Sequence, residues 1–176
     1  MIGLGACGSS GSHAGGIEDG AVIDVPSAEV EFRPVIEIAP PSTGGCAAPE
    51  GDESAATVTE CTTGGFISYR VGAVTVDNGG IVGAQATPSA SGGGWVVNPI
   101  FAETPTGLDA FNALAGECYR NAPQCPTGQI AIVVDGHVVA APTMMSPAQF
   151  KADEVQISGN FTEDQAVRLA GGMSPG

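Results

Sequence analysis

Residues 130–134, Ile-Ala-Ile-Val-Val, are apolar on both faces, which is typical of a strand in the interior of a sheet. Asp135-Gly136 follows at once, and this dipeptide favours a type I′ turn. Residues 137–141 then continue as a second extended segment, so the pattern predicts a β-hairpin. The fold must therefore contain a sheet with a central strand. The 27 Gly and 13 Pro agree with this, because they exclude long helices and extensive coiled coil.

Further segments have the composition of strands. Residues 30–39 alternate apolar and polar side chains, and Pro34 within them predicts a strand at the edge of the sheet. Residues 40–63 are rich in Pro, Gly, Ser, Thr and acids, which predicts a loop. Asp77-Asn78-Gly79-Gly80 predicts a turn. We also predict strands at residues 66–76, 81–87, 94–101 and 155–157.

Two helices are predicted. The first begins near Thr106, with Asp109 three residues later as a capping arrangement. Its apolar face consists of Leu108, Phe111, Leu114, Ala115 and Cys118. The second covers residues 163–170, where Thr162 and Gln165 match a capping box. The sequence thus predicts an α+β domain, mostly antiparallel sheet, with one or two helices packed on one face.

The five cysteines are Cys7, Cys46, Cys61, Cys118 and Cys125. None lies in a Cys-x-x-Cys element, so their spacing does not indicate a zinc site. The sequence leaves their connectivity open, although short loops favour Cys46 with Cys61 and Cys118 with Cys125. Two disulfides would suit an oxidising compartment, and the alternative is four free thiols in a reducing cytosol.

Residues 4–7, Leu-Gly-Ala-Cys, resemble a bacterial lipobox, which predicts lipidation of Cys7. The Gly- and Ser-rich residues that follow would form a flexible tether. Only a fragment of a signal peptide precedes Cys7, which indicates a truncated start. An untethered cytosolic N-terminus is the alternative. We divide the chain into a lipobox remnant and tether (1–28), a folded domain (29–172) and a tail (173–176).

Charge narrows the possible partners. Five Lys and Arg against 19 Asp and Glu give a net charge of -14. Nucleic acid and anionic lipid headgroups would be repelled, so we expect no nucleic-acid partner and membrane contact only through the N-terminal lipid. The negative charge is explained by a requirement for solubility. The alternative is that it attracts a basic partner or an unfolded segment.

The residues do not indicate catalysis. His137, the one histidine in the folded part, follows the hairpin turn, where we expect a solvent-facing side chain rather than a catalytic base. Two acid pairs, Asp52-Glu53 and Asp153-Glu154, lie in predicted loops without framing aromatic residues. We therefore expect no enzyme activity, no metal and no cofactor.

One longer motif resembles a known family. Residues 130–142 supply a strand, an Asp-Gly turn and an Ala-Pro exit, and residues 156–163 read Gln-Ile-Ser-Gly-Asn-Phe-Thr-Glu. This succession resembles the head of the first periplasmic domain of the translocase subunit SecD. The resemblance is strong over residues 92–170 and weaker over residues 30–86. Residues 151–154 and Met144-Met145 depart from the pattern of that family.

The lipobox predicts an envelope lipoprotein, lipid-anchored on the outer side of the cytoplasmic membrane. The resemblance implies that it is non-enzymatic and binds exported polypeptide or assists protein translocation. The alternative is an accessory structural subunit of another membrane protein complex. Met144 and Met145 offer an adaptable apolar surface for a protein partner, although core methionines are the alternative. An extended polypeptide could also add to the predicted sheet edge around Val35.

Overall fold

The fold combines a small β-barrel with a three-stranded sheet. The computed structural model describes residues 28–39, 58–62, 67–90, 92–147 and 149–174. Their elements, in chain order, are β1 (Val30–Ala39), β2 (Val58–Thr62), β3 (Ser68–Val71), β4 (Ile81–Pro88), β5 (Trp95–Phe101), α1 (Leu108–Tyr119), β6 (Ile130–Val134), β7 (His137–Ala140), β8 (Ile157–Phe161) and α2 (Glu163–Met173).

The barrel closes in the order β1, β3, β2, β7, β6. Neighbouring strands of the barrel pair antiparallel, except that β2 and β7 pair parallel. The second sheet has the antiparallel order β4, β5, β8. Helix α2 packs on β4 and β5, whereas α1 lies against β1 and β6. The predicted α+β class with mostly antiparallel strands is confirmed.

The predicted hairpin is present as β6 and β7. Its turn residues Asp135 and Gly136 have φ values of 48° and 75°, as a type I′ turn requires. Asp135 also ties the turn to the start of β1: its carboxylate accepts from the Glu29 N–H at 2.9 Å, and its own N–H donates to the Glu29 carbonyl at 2.9 Å. His137 is exposed directly after the turn.

The capping box of α2 is also confirmed. The Thr162 hydroxyl accepts from the Gln165 N–H at 3.3 Å, and the Gln165 side-chain oxygen accepts from the Thr162 N–H at 2.9 Å. Two otherwise unpaired N–H groups at the helix start are thereby satisfied, as the sequence pattern predicts.

The start of α1 differs from the prediction. Its N-cap is Gly107, which makes no side-chain cap, so the predicted capping by Thr106 is wrong. Gly107 is buried where the Gly80 and Ala102 carbonyl oxygens converge, and a Cβ atom there would lie 2.3 Å from the Ala102 oxygen. Only glycine fits this junction. A tertiary contact therefore decides where the helix begins.

The prediction that β1 is an edge strand is wrong. β1 pairs with β6 over Val30–Pro34 and with β3 from Val35 to Ala39, so it lies in the interior of the barrel wall. Pro34 is opposite Gly72, whose N–H donates to the Pro34 carbonyl at 2.9 Å. Proline cannot donate in return. The buried Arg33 Nε donates to the Gly72 carbonyl instead, at 2.8 Å, and this bond lets a proline occupy a paired strand.

Two further strand predictions are corrected. Residues 58–62, predicted as part of a loop, form β2 and pair with β3 and β7. The sequence predicts a strand over residues 66–76. Of residues 67–76, which the structure describes, Ser68–Val71 forms a strand, and Val76 makes a separate bridge to Phe32. Since β2 is stabilised by non-local pairing, its local composition did not predict it.

Two apolar clusters hold these layers together. One fills the space between barrel, sheet and both helices and includes Phe32, Phe101 and Phe111. The other lies among the barrel strands and consists of Val35, Tyr69, Val71, Ala131, Val133 and Val138. The candidate site is at the edge of the first cluster.

Candidate functional site

An apolar cavity of about 90 Å³ lies between the barrel and α1 and is partly open to solvent. β1 and β6 supply one side, with Phe32, Ile130 and Ile132. α1 contributes Phe111, and the chain between β7 and β8 contributes Met144 and Phe150. A concave apolar surface of this kind can take up an apolar side chain and release water from both surfaces.

An aromatic cluster forms the inner wall of the cavity. The Phe111 ring lies 5.6 Å from Phe32 in an edge-to-face arrangement and 5.7 Å from Phe150. It also stacks on Phe101 at 4.6 Å between ring centroids. The helix, the barrel, the sheet and the chain after β7 therefore all contact the Phe111 ring. Close packing by the helix, the barrel and the sheet holds this ring in place.

The chain after β7 is fixed where it enters the cavity wall. The Ile130 N–H donates to the Pro142 carbonyl at 3.1 Å, and the Met144 N–H donates to the Gly128 carbonyl at 2.9 Å. Gln129 and Thr143 form a bridge between these bonds. Met144 is consequently held partly buried against the core, whereas Met145 is 85% exposed at the next position.

A disulfide lies next to the β6 side of the cavity wall. Cys118, at the end of α1, is bonded to Cys125, and both residues are fully buried. Their sulfur atoms lie 3.6 and 3.1 Å from the carbonyl oxygen of Gln129, which directly precedes β6. The cross-link thus joins the end of the helix to the start of the strand that lines the cavity. The predicted pairing of Cys118 with Cys125 is confirmed.

Charged groups lie outside the cavity. The Lys151 N–H and ammonium group each contact the Glu154 carboxylate at 3.0 Å. The backbone hydrogen bond, followed by that from the ammonium group, lowers the pKa of Glu154, and the hydrogen bond to Glu154 raises the pKa of Lys151. Both side chains are exposed, so this pair shapes the turn after Phe150 without entering the apolar site.

Comparison with known proteins identifies the fold and the family. Residues 54–176 match the family model described as SecDF, P1 head subdomain. The chain belongs to the SecDF P1 head subdomain family. The crystal structure of SecDF in a super-membrane-facing form is similar, with a TM-score of 0.53 and 21% identity. That likeness covers 84% of this chain but 18% of the SecDF chain. No curated protein matches the sequence.

Membership of the SecDF P1 head family assigns a periplasmic-type domain, as the sequence motif implied. Within the ranges that the structure describes, no helix is long and apolar enough to cross a bilayer. The same ranges contain no group of three His, Cys, Asp or Glu side chains that could hold a metal ion.

The predicted site residues occupy different environments in this P1 head-like fold. Met144 lines the cavity, and the next residue, Met145, is 85% exposed, so both stay candidates for partner contact. Val35 is fully buried in the barrel cluster, so its side chain offers no surface to a partner. Cys7 and Cys46 lie outside the described residues, and lipidation, the Cys46–Cys61 pair and the three-part division of the chain stay predictions.

Sequence reasoning did not identify the aromatic side of the cavity. Phe111 was placed on the buried face of a helix, but nothing local connected it with Phe32 or Phe150. The available signal was composition: four of the six phenylalanines meet in ring contacts, namely Phe32, Phe101, Phe111 and Phe150. A chain with few aromatic residues concentrates them where packing or binding needs large apolar surfaces.

Proposed function

We propose that this chain is a non-enzymatic envelope lipoprotein that binds exported polypeptide and assists protein translocation. The observation that carries this proposal is the apolar cavity beside Met144 and Phe150 in a SecDF P1 head-like fold. An unfolded exported chain presents apolar side chains that a folded protein buries. A cavity that accepts one such side chain can therefore distinguish an unfolded client from a folded one.

The size of the site favours brief contacts. Burying one Leu or Ile side chain contributes about 1.5–3 kcal/mol, which alone gives weak and rapidly reversible binding. Such binding suits a protein that must release a moving polypeptide. Met145, which follows Met144 and is 85% exposed, adds a flexible apolar surface that can adapt to clients of different sequence.

Charge supports a polypeptide client of neutral or basic character. The chain carries a net charge of -14, so acidic segments are repelled and basic ones attracted before contact. The cavity itself is lined by apolar side chains, with Gln156 as the polar exception. Electrostatic attraction would thus act on the approach of the client, and apolar burial would hold it.

A photo-crosslinking side chain at Met145 tests this function in cells. We expect crosslinks to exported polypeptides during their translocation, because Met145 is exposed and directly follows Met144, which lines the cavity. The matched control is the same side chain at Val167, which is 53% exposed on α2, a helix that contributes no residue to the cavity lining. Equal crosslinking from both positions, or no exported client from Met145, would contradict the proposal. A single membrane complex recovered in stoichiometric amount would favour an accessory structural subunit.

We also infer lipid anchoring through Cys7, on the outer side of the cytoplasmic membrane. The Leu-Gly-Ala-Cys pattern and the Gly/Ser-rich residues after it support this inference. The intact mass of the protein from its native host, measured without reductant, should include a diacylglycerol group and should lack four hydrogens because of two disulfides. An unacylated mass would reject the anchor. A mass lacking two hydrogens would reject the Cys46–Cys61 pair.

A further inference from the structure

One asparagine joins α1 to the chain that closes the cavity. The Asn112 side-chain N–H donates to the Phe150 carbonyl at 3.0 Å, and its side-chain oxygen accepts from the Phe150 N–H at 2.9 Å. We call this pair of bonds the Asn112 latch. An amide is suited to this role because it donates and accepts through one planar group, as a neighbouring strand would.

The latch determines where the Phe150 ring lies. With both backbone groups of Phe150 held by α1, its ring packs 5.7 Å from Phe111, one helical position before Asn112, and forms a wall of the cavity. Residues 145–147 and 149 are exposed, and no hydrogen bond or ion pair joins them to the other described residues. The hydrogen bond at Met144 fixes one end of this segment, and the turn at Lys151 fixes the other. Between them, the position of the Phe150 wall therefore depends on Asn112.

The volume of the closed cavity limits what can enter. At about 90 Å³ it is smaller than the ~150 Å³ apolar cavity that holds a benzene ring. The branched side chains of Val, Leu and Ile occupy less volume than the benzyl side chain of Phe. Moving Phe150 outwards is the change that would widen the site. Strands and α1 supply half of the cavity lining, and backbone hydrogen bonds at Pro142 and Met144 tie the chain after β7 to the start of β6.

We propose that Asn112 is a positioning residue that sets the size selectivity of the cavity. With the latch closed, the cavity takes Val-, Leu- or Ile-sized side chains of a polypeptide. With the latch open, Phe150 moves and the cavity also accepts aromatic side chains. This inference rests on the proposed function, because it names the class of side chain that the same cavity selects.

Paired peptides test the selectivity. Two neutral, end-capped peptides that differ only in one central Leu or Phe are titrated into the protein, and binding is followed by NMR. We expect the wild type to prefer the Leu peptide. Asn112→Ala should shift the Leu-to-Phe preference towards Phe by about tenfold, the effect of losing two hydrogen bonds of ordinary strength. Asn112→Asp at neutral pH accepts but cannot donate, so it should give a smaller shift.

Two controls separate positioning from general damage. Gln124→Glu adds the same charge at an exposed site just beyond α1, where the side chain makes no hydrogen bond to the described residues, and should leave the preference unchanged. In a Phe150→Ala background, Asn112→Ala should have no further effect, because the wall it positions is gone. A general loss of stability would instead lower binding of both peptides and add to the effect of Phe150→Ala. An unchanged preference in Asn112→Ala would overturn the proposal.

The latch can also be measured without a client. Hydrogen exchange at the Phe150 amide should be about tenfold faster in Asn112→Ala than in the wild type, while the β6 amides stay protected. If exchange accelerates but neither peptide binds the wild type, the latch is real and the proposed polypeptide binding is wrong. If exchange does not change, the latch itself is rejected.

Discussion

Arg33→Ala should lower the free energy of unfolding by about 3–5 kcal/mol, the usual cost of removing one partner from a buried ion pair. Arg33 is fully buried in β1. Its guanidinium donates to the Gly72 carbonyl at 2.8 Å and contacts the Glu31 carboxylate at 3.3 Å, with Glu31 itself only 13% exposed. The substitution leaves a buried carbonyl and a largely buried carboxylate without this donor.

The matched control is Arg70→Ala. Arg70, on β3, also pairs with a glutamate of β1, and its guanidinium lies 3.0 Å from the Glu37 carboxylate. Both side chains are about half exposed, so water replaces the lost contact and we expect a cost of no more than about 1 kcal/mol. Denaturant unfolding of the oxidised proteins measures both values. Equal costs for the two variants would contradict a role for Arg33 in permitting Pro34 within the barrel wall.

The sequence predicted those features that depend on neighbouring residues. The Asp135-Gly136 turn and the Thr162–Gln165 capping box are closed by bonds within four residues, so the local pattern contained the necessary information. The helical spacing of apolar residues likewise predicted the buried face of α1. These elements also carry the motif that resembles the SecD family.

The predictions that failed depended on distant contacts. Pro34 indicated an edge, but Arg33 replaces the missing donor in a way that no proline rule anticipates. The start of α1 is set by the close approach of Gly107 to the Ala102 carbonyl, directly after β5. Strand β2 forms because β3 and β7 pair with it. In each case tertiary structure outweighed local preference.

The cavity could not be predicted for the same reason. Its walls come from β1, α1, β6, β8 and the chain between β7 and β8, and only the tertiary fold brings these together. The sequence indicated Met144 and Met145 through their side-chain chemistry alone. It did not indicate which residues would face them across a cavity. It had no means of connecting Asn112 with Phe150, because an amide on a helix gives no sign of which backbone it will bind.

Phe111→Ala should also be among the most destabilising single substitutions, with a loss of about 3–5 kcal/mol. Phe111 is 3% exposed and contacts the rings of Phe32, Phe101 and Phe150. Truncation leaves a void where barrel, sheet, helix and cavity wall meet, and these elements cannot all move inwards to fill it. The aromatic contacts themselves are lost in addition.

Tyr119→Ala is the control for this substitution, since it also replaces an aromatic residue by alanine on α1. Tyr119 is 42% exposed, and alanine favours the helix at both positions, so the difference between the variants reports packing rather than helix propensity. We expect Tyr119→Ala to cost less than about 1 kcal/mol. Phe111→Leu, which retains most of the volume, should be intermediate. If Phe111→Ala unfolded at the same denaturant concentration as Tyr119→Ala, the aromatic cluster would not be the junction that holds the cavity walls in place.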